Sequence, residues 1–392
     1  MNRFIESIGC SASMELMKRA KELHDKGVDV IGLGGGEPNF DTPQFIKDKV
    51  IKEILDGNTH YAVGKGLFQL RKKISDKLKR DNHIDISPEN IVVTPGAKMA
   101  IYLSVRACIS DGDEVLIPTP SWVSYKEIVK AAGGVPIEVP LNGEKKYEIS
   151  EEILLKYINS KTKMIIICSP NNPTGRIINE KEIESLIAVL ENTDIVLLSD
   201  EVYEKINYVD NVTSPASYYQ LKEKTITING FSKAYAMTGW RLGYLAAPKR
   251  YTDVIEKLYT HTVTGTSPFI QEAAIVALDC EDSVQKMRNE YQCRRDFFIK
   301  SLNRIEGVTT YFPEGAFYAW CKFDLEGDIS EQLLNGANVI GVPGLAYGKD
   351  YDSFIRFSFA SNMEDLEKAI DRIEKYMESR KRLNLIKEHI ND

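Results

Sequence analysis

The chain alternates short apolar runs with longer stretches in which apolar residues recur at helical spacing. Two of these runs, 164–168 and 195–198, contain apolar residues only. Strands of this kind are covered on both faces, which is typical of parallel sheets flanked by helices. The pattern therefore predicts an α/β fold with a mainly parallel central sheet.

The order of the runs indicates how the larger part of the fold is built. An amphipathic helix is predicted at Ser11–Lys26, and the triplet Gly34-Gly35-Gly36 ends the strand that follows it. Strands are predicted at Val28–Leu33, Ile91–Thr94, Glu114–Pro118, Met164–Cys168, Ile195–Ser199 and Thr225–Asn229. Further helices are predicted at Ala97–Ile109, Val123–Ala132 and Glu180–Leu190.

The pattern changes in the last part of the chain. One long helical region is predicted at Ser267–Leu302, followed by short strands at Gly315–Lys322 and Phe354–Ala360 and by a terminal helix at Met363–Glu388. This order is typical of a smaller α+β domain. A length of 392 residues also suits two domains better than one simple core.

Composition excludes several classes of function. The net charge of -7 and the lack of a long basic run outside Ser379–Arg382 give nucleic-acid binding no electrostatic support. The six cysteines form no Cys-x-x-Cys pair and the five histidines have no metal spacing, so no metal site is expected. The N-terminus lacks the apolar core of a signal peptide, and no run approaches the ~20 apolar residues of a membrane span. We expect a cytoplasmic protein with reduced thiols.

The run Asn229–Tyr244, with the sequence NGFSKAYAMTGWRLGY, contains the most informative lysine. Lys233 lies among small residues on an expected strand-to-helix turn, where an amine can be desolvated enough to attack a carbonyl. Arg241 follows and can hold a phosphate through two parallel hydrogen bonds. Pyridoxal 5′-phosphate (PLP) has both an aldehyde and a phosphate. The alternative is an exposed lysine in a polar turn.

Three more groups follow predicted strands, where ligands bind in open parallel sheets. The turn 94–98, Thr-Pro-Gly-Ala-Lys, opens a helix and could bind an anion, or be a plain turn. The loop 169–175, Ser-Pro-Asn-Asn-Pro-Thr-Gly, has a backbone fixed by two prolines. In the segment 199–203, Ser-Asp-Glu-Val-Tyr, Asp200 could pair with a protonated ring nitrogen or cap a helix.

Together these motifs resemble the class I and II aminotransferases, PLP-dependent enzymes of fold type I, and within them the bacterial and archaeal aspartate aminotransferases. The resemblance implies that Lys233 forms the Schiff base with PLP and moves a proton from the α-carbon of the substrate. It implies a phosphate site made by Gly96, Ala97, Lys98, Ser232, Arg241 and, across a dimer interface, Tyr61. It also implies that Asp200 faces the ring nitrogen, Tyr203 and Asn172 the 3-oxygen, and Trp122 the ring face.

The same resemblance implies how an amino acid is bound. Arg356, within an apolar strand, would bind the α-carboxylate beside Gly36 and Asn172, and Ser13, Lys98 and Trp122 would contact the distal carboxylate of a dicarboxylic substrate. The alternatives are a solvated lysine at 98 and a helix cap at 13. The sequence departs from its relatives at Gly9 and Cys10, where Lys and Pro are typical, and at Gly230, where Ser often binds phosphate.

The expected reaction is ping-pong transfer of an amino group from an L-amino acid, with aspartate favoured, to a 2-oxo acid such as 2-oxoglutarate. An aromatic or broad-range aminotransferase is the first alternative, and a PLP-dependent lyase or synthase on the same fold is the second. The resemblance also implies a homodimer, with neither nucleic acid nor membrane as a partner. Its domains would be a large PLP-binding domain at 40–285 with a seven-stranded sheet, and a small domain made by 1–39 and 286–392.

Overall fold

The computed structural model describes residues 6, 8–9, 12–62, 64–210 and 212–391, and all side chains in these ranges except those of 12–17 and 384–391. Its strands are β1 (Ile31–Gly32), β2 (Ile91–Thr94), β3 (Glu114–Thr119), β4 (Val135–Pro140), β5 (Thr162–Cys168), β6 (Val196–Asp200), β7 (Thr225–Gly230), β8 (Gly243–Ala246), β9 (Val308–Thr310), β10 (Tyr318–Phe323), β11 (Val339–Ile340), β12 (Val342–Pro343) and β13 (Phe354–Ser358).

Helices cover both faces of the largest sheet that these strands form. The α-helices are α1 (Ala12–Asp25), α2 (Gln44–Leu55), α3 (Phe68–Asn82), α4 (Ala97–Cys108), α5 (Ser124–Ala131), α6 (Glu151–Leu155), α7 (Glu180–Leu190), α8 (Tyr219–Lys222), α9 (Lys249–Thr262), α10 (Pro268–Ala277), α11 (Glu281–Leu302), α12 (Ile329–Ala337) and α13 (Met363–Asn391). Short 3₁₀ helices lie at Pro88–Asn90, Gly143–Lys145, Pro215–Ser217 and Gly344–Tyr347.

The largest sheet has seven strands in the order β2-β8-β7-β6-β5-β3-β4. Strands β3 to β7 are parallel to their neighbours within this group, whereas β8 is antiparallel to both β2 and β7. The prediction of a mainly parallel, seven-stranded sheet flanked by helices is therefore confirmed. The antiparallel strand β8 was not predicted, nor were β4 and the helices α2, α3 and α9.

Burial on both faces explains the apolar runs. In β6, Leu197 packs with Ile183 and Leu186 of α7 on one face of the sheet. The next residue, Leu198, packs with Ala100 and Ile101 of α4 on the other face. Neighbouring residues of one strand thus enter different cores, so the run 195–198 is apolar at every position.

The smaller sheets lie beside the last helices. Strands β12-β13-β10-β9 form an antiparallel sheet, and β1 pairs in parallel with β11. Their core includes Phe298 of α11, Leu333 of α12, Phe357 of β13 and Ile373 of α13. The predicted α+β pattern of the last part of the chain is confirmed. The division of the chain at 40 and 285 stays a prediction.

Two element predictions were wrong. The region Ser267–Leu302 forms two helices, α10 and α11, because Leu278 and Cys280 turn into the core that α10 shares with α3, whereas α11 continues into the core of the small sheets. The first strand is limited to β1, whose two residues pair with the two residues of β11. Tertiary packing sets both boundaries, and no glycine or proline marks the break after α10.

Candidate active site

A cavity of about 390 Å³ lies at the carboxyl ends of β5, β6 and β7. Most of the residues singled out from the sequence line it, although they come from distant parts of the chain. They are Gly36, Ala97, Lys98, Trp122, Asn172, Asp200, Tyr203, Ser232, Lys233, Arg241 and Arg356. The carboxyl ends of neighbouring parallel strands meet at one edge, which is why loops far apart in sequence converge here.

Lys233 lies on the loop between β7 and β8. The prediction that Lys233 lies on a strand-to-helix turn was wrong. The loop contains turns and leads directly into β8, the adjacent antiparallel strand. The Nζ atom donates a 2.5 Å hydrogen bond to the carbonyl oxygen of Gly36. Burial lowers the pKa of Lys233 to about 8, although the nearby Glu37 carboxylate acts in the opposite direction. A larger share of neutral amine is what a nucleophilic lysine needs.

Asp200 ends β6 and is buried. Burial raises its pKa to about 6, against the hydrogen bond that the Tyr125 hydroxyl donates over 2.6 Å to Oδ2 and the one that the Val202 N–H donates to Oδ1. The residues after Asp200 form turns, so the alternative role as a helix cap is wrong. Tyr125 was missed from the sequence, although it lies one helical turn after Trp122 and their rings meet edge to face.

A second group of residues surrounds the start of α4. Gly96 has a left-handed φ of 86°, and a Cβ atom there would lie 2.7 Å from Nη2 of Arg241. Arg241 itself has a left-handed φ of 53°, and its Nη1 donates to the carbonyl oxygen of Thr238 over 3.0 Å. Backbone N–H groups at a helix start and a guanidinium together favour an anion with several oxygens. Ser232 lines the same cavity.

The departure at Gly230 has a physical reason. A Cβ atom on Gly230 would lie 3.2 Å from the carbonyl oxygen of Leu242 and 3.3 Å from the Cα of Gly243. A serine would therefore need β8 to move slightly away from β7. Ser232, which lines the cavity, has a hydroxyl group that could take the place of the missing serine.

Arg356 is only 3% exposed and comes from β13 of the small sheet. Its Nη1 donates to Oδ1 of Asn172 over 3.2 Å, and its Nη2 donates to the carbonyl oxygen of Gly34 over 2.6 Å. Its Nε has no hydrogen-bond partner among the described residues, and no described carboxylate forms an ion pair with it. A buried guanidinium without an anion is costly, so the cavity is suited to a ligand carboxylate.

Lys98 and Trp122 form one wall of the cavity. The Nζ atom of Lys98 lies 4.9 Å from the centre of the Trp122 ring. The side chain is open to solvent at the cavity edge, yet partial burial and then the charge of Arg241 lower its pKa. Lys98 is therefore a cation that faces the cavity rather than a fully solvated lysine of the first helical turn.

Tyr61, Gly96 and Ser13 are the predicted site residues that remain. Tyr61 is 90% exposed and lines a separate cavity with 59–62 and 265–269. Gly96 adjoins the main cavity through Arg241 without lining it. Ser13 lies in α1, with its side chain outside the described residues, as is Cys10.

The described residues contain no group of three or more side chains suited to hold a metal ion. Within the same part of the chain, no helix has the length and apolar character needed to cross a membrane.

Comparison with known proteins agrees with this geometry. A model of the family "Aminotransferase class I and II" matches residues 28–373. The chain belongs to this family. It is 43% identical over 380 residues to the "Probable aspartate/prephenate aminotransferase" of Aquifex aeolicus, covering 94% of this chain and 96% of that protein.

Other relatives of this aminotransferase differ in the substrate they are named for. The "Aromatic-amino-acid aminotransferase 2" of Thermococcus litoralis is 42% identical over 363 residues, covering 90% of this chain and 92% of that protein. The solved structure of the aspartate aminotransferase from Thermus thermophilus with maleate has a TM-score of 0.91 at 33% identity, covering 96% of this chain and 99% of that one.

Class I and II aminotransferases depend on PLP, and the cavity of this enzyme fits that cofactor. Gly243 of β8 is packed so closely against the start of α4 that a Cβ atom there would lie 2.4 Å from the backbone nitrogen of Ala97. A side chain at 243 would therefore displace the backbone of this turn. With the guanidinium of Arg241 beside Gly96, the start of α4 is suited to hold a phosphate group.

This packing leads to a prediction about Gly243→Ala. The added methyl group must displace the backbone at 96–97, so we expect the free energy of unfolding to fall by about 1–3 kcal/mol and the affinity for PLP to fall. Denaturant unfolding of the cofactor-free enzyme and a PLP titration would measure the two effects. Gly239→Ala is the matched control, because no atom lies within 4 Å of its Cβ position. Equal PLP affinity in both variants would contradict this phosphate site.

Glu201, next to Asp200, gives the enzyme a pH-dependent stability. It is buried behind the cavity, where the hydroxyl groups of Ser199 and Ser214 donate to its Oε1, and burial with the charge of Glu204 raises its pKa to about 7. The folded protein therefore binds one more proton than the unfolded chain between pH 4.5 and about 7.

Stability should consequently fall as pH rises through this window. We expect a contribution of about 3 kcal/mol to be present at low pH and absent above pH 7 in the cofactor-free enzyme. The Glu201→Gln variant cannot ionise and should lose this part of the pH dependence. Urea unfolding of both proteins from pH 5 to 8 would measure it, and parallel pH profiles would contradict the assignment.

Proposed function

We propose that this aminotransferase moves the amino group of an L-amino acid, with aspartate favoured, to a 2-oxo acid, with 2-oxoglutarate as the expected acceptor. The observation that carries the proposal is Arg356, which is buried in the cavity that also contains Lys233 and Asp200 and has no anionic partner among the described residues. Both substrates have an α-carboxylate, so one guanidinium can serve both halves of a ping-pong reaction.

When bound here, PLP supplies an aldehyde that reacts with the amino group of the substrate and a ring that withdraws electrons from the α-carbon. We assign the buried carboxylate of Asp200 to the ring nitrogen, where Tyr125 keeps it in place. Lys233 is the proposed catalytic residue. Its Nζ would take a proton from the α-carbon of the substrate and, as an ammonium group, would donate a proton to the carbon that carries the cofactor aldehyde. A pKa of about 8 allows this amine to gain and lose a proton near neutral pH.

The remaining cavity residues are proposed to hold the cofactor in place. Asn172 and Tyr203 would contact the 3-oxygen, Trp122 would cover one face of the ring, and Gly36 would line the substrate side. The proposed phosphate ligands are the backbone N–H groups of Gly96, Ala97 and Lys98 at the start of α4, together with Ser232 and Arg241. Their support is the close packing of this turn and the guanidinium beside it.

Specificity is proposed to depend on Lys98 and Trp122, with Ser13 as a further contact. An ammonium group facing the cavity favours a second carboxylate, and this supports aspartate and 2-oxoglutarate. The flat ring of Trp122 and the relative named for aromatic amino acids support the second candidate, an aromatic or broad-range aminotransferase.

A panel of amino-acid donors tests these two candidates. The expected result is that Lys98→Met lowers kcat/KM for aspartate about tenfold or more while leaving that for phenylalanine nearly unchanged. Stopped-flow half-reactions monitored by cofactor absorbance would measure it. Equal losses for both donors would overturn the preference for aspartate. Release of pyruvate or ammonia without a 2-oxo acid acceptor would instead support a lyase.

We further propose a cytoplasmic homodimer in which Tyr61 reaches the phosphate of the partner's cofactor. Tyr61 is almost fully exposed, and α2 nearby presents Ile54 and Leu55, which are 47% and 81% exposed. Apolar side chains this exposed are typical of surfaces that pair with another chain. A large PLP-binding domain at 40–285 and a small domain at 1–39 and 286–392 remain part of this proposal.

A further inference from the structure

Tyr318 lines the main cavity, although the sequence did not single it out. It is the first residue of β10 and is only 1% exposed. Its hydroxyl and its ring make different contacts, each with a residue that has a proposed role at one end of the cavity.

The hydroxyl of Tyr318 lies 2.7 Å from the hydroxyl of Tyr203. It also packs against the backbone of Gly36, since a Cβ atom on that glycine would lie 2.9 Å from it. A tyrosine hydroxyl donates only one hydrogen bond. Tyr203 can therefore donate to a ligand oxygen in the cavity only when Tyr318 is the donor between the two hydroxyl groups.

The ring of Tyr318 supports Arg356, whose Cζ atom lies 4.3 Å from the ring centre. This cation–π contact stabilises the guanidinium through its face, so the N–H groups at its edge can make hydrogen bonds. The register fixes the arrangement, because Arg356 pairs with Trp320, two residues after Tyr318 on the neighbouring strand. Both residues lie on strands, so their relative position does not depend on a loop.

We propose that Tyr318 is a positioning residue that orients the Tyr203 hydroxyl with its own hydroxyl and holds the Arg356 guanidinium with its ring. It thereby fixes the distance between the site of the cofactor 3-oxygen and the site of the substrate α-carboxylate. The proposal rests on the proposed roles of Tyr203 and Arg356. Its two halves are separable, since one depends on an oxygen atom and the other on an aromatic face.

Tyr318→Phe in the PLP-loaded enzyme tests the hydroxyl. We expect kcat to fall roughly 3- to 10-fold, the pH titration of the bound-cofactor absorbance to shift, and KM for the amino acid to stay nearly unchanged. Tyr291→Phe is the matched control, because Tyr291 packs on Phe317 in the same cluster and its hydroxyl has no partner among the described residues. An unchanged titration in Tyr318→Phe, or an equal shift in the control, would overturn this half.

Tyr318→Leu tests the ring. We expect KM for the amino acid to rise roughly 3- to 30-fold beyond that of Tyr318→Phe, with no such change for a primary amine that lacks a carboxylate. If the leucine variant does not fold, pentafluorophenylalanine at position 318 keeps an aromatic ring of similar shape and reverses the electrostatic potential on its face. A KM equal to that of Tyr318→Phe in either protein would overturn this half.

Arg356→Met separates failure of this inference from failure of the proposed function. If Arg356→Met raises KM and the changes at 318 do not, only the role of Tyr318 is wrong. If Arg356→Met leaves KM unchanged, the proposed carboxylate site is wrong and the ring of Tyr318 loses its assigned partner.

Discussion

Lys233→Ala is expected to lower the rate of transamination by at least about 10⁴-fold. The substitution removes both the amine that would attach the cofactor and the group that would move the proton at the α-carbon. Neither function can pass to Lys98, which lies over Trp122 on another wall of the cavity. The loss should therefore appear in kcat, with little recovery at high substrate concentration.

Borohydride reduction separates loss of attachment from loss of rate. It should fix PLP covalently to the wild type and to Lys98→Ala, and leave Lys233→Ala free of cofactor after denaturation. Lys98→Ala is the matched control, because it removes another lysine from the same cavity and keeps Lys233. Cofactor that remains covalently attached to Lys233→Ala would show that a different lysine forms the bond.

The second large effect is expected for Arg356→Met, which should lower kcat/KM for amino acids by roughly 30- to 1,000-fold. The guanidinium is held in place by Asn172 and Gly34. None of the described residues gives it an anionic partner, so the carboxylate of a ligand would fill that role. Transamination of a primary amine without a carboxylate should change far less. An equal loss for the amine would mean that Arg356 supports the fold of the cavity rather than the substrate.

Arg176 provides the contrast within the same protein. It is also buried, but its Nη1 donates over 2.8 Å to Oε1 of Glu182, which is itself 1% exposed. Arg176→Met would leave that carboxylate buried without a cation, with the backbone N–H groups of Ile149 and Asn179 as its remaining donors, so we expect the free energy of unfolding to fall by about 3–5 kcal/mol. Arg356→Met leaves no buried charge behind and should unfold near the wild-type midpoint. Thermal or urea unfolding of the two variants would show which arginine serves stability and which serves binding.

The parts of the site that could be predicted are those at the ends of parallel strands. Asp200 and Asn172 follow uniformly apolar runs, and the carboxyl ends of such strands meet at one edge. The small sheet brings Arg356 to the same cavity. An arginine inside an apolar strand is unusual, and this position drew attention to Arg356 in the sequence. Strand periodicity predicted where these residues lie in the fold, and the family resemblance supplied their expected roles.

Other features could not be predicted because their sequences are ordinary. Tyr125 and Tyr318 occupy a helix and a strand where a buried tyrosine is common, and their role depends on contacts with residues 75 and 115 positions away. Strand β8 has only four residues and follows the lysine loop at once, so it has no separate apolar run. The boundary between α10 and α11 depends on which core each helix enters.

The left-handed backbone of Arg241 has a consequence for engineering. A residue with a side chain is disfavoured in that conformation by about 1 kcal/mol, and glycine is not. A screen for heat-resistant variants that measures the melting temperature of the cofactor-free enzyme would therefore select Arg241→Gly. The selected variant would melt at a higher temperature but would lack a proposed phosphate ligand. Selection has to be made with the cofactor present, where retention of the guanidinium can outweigh the relief of the backbone.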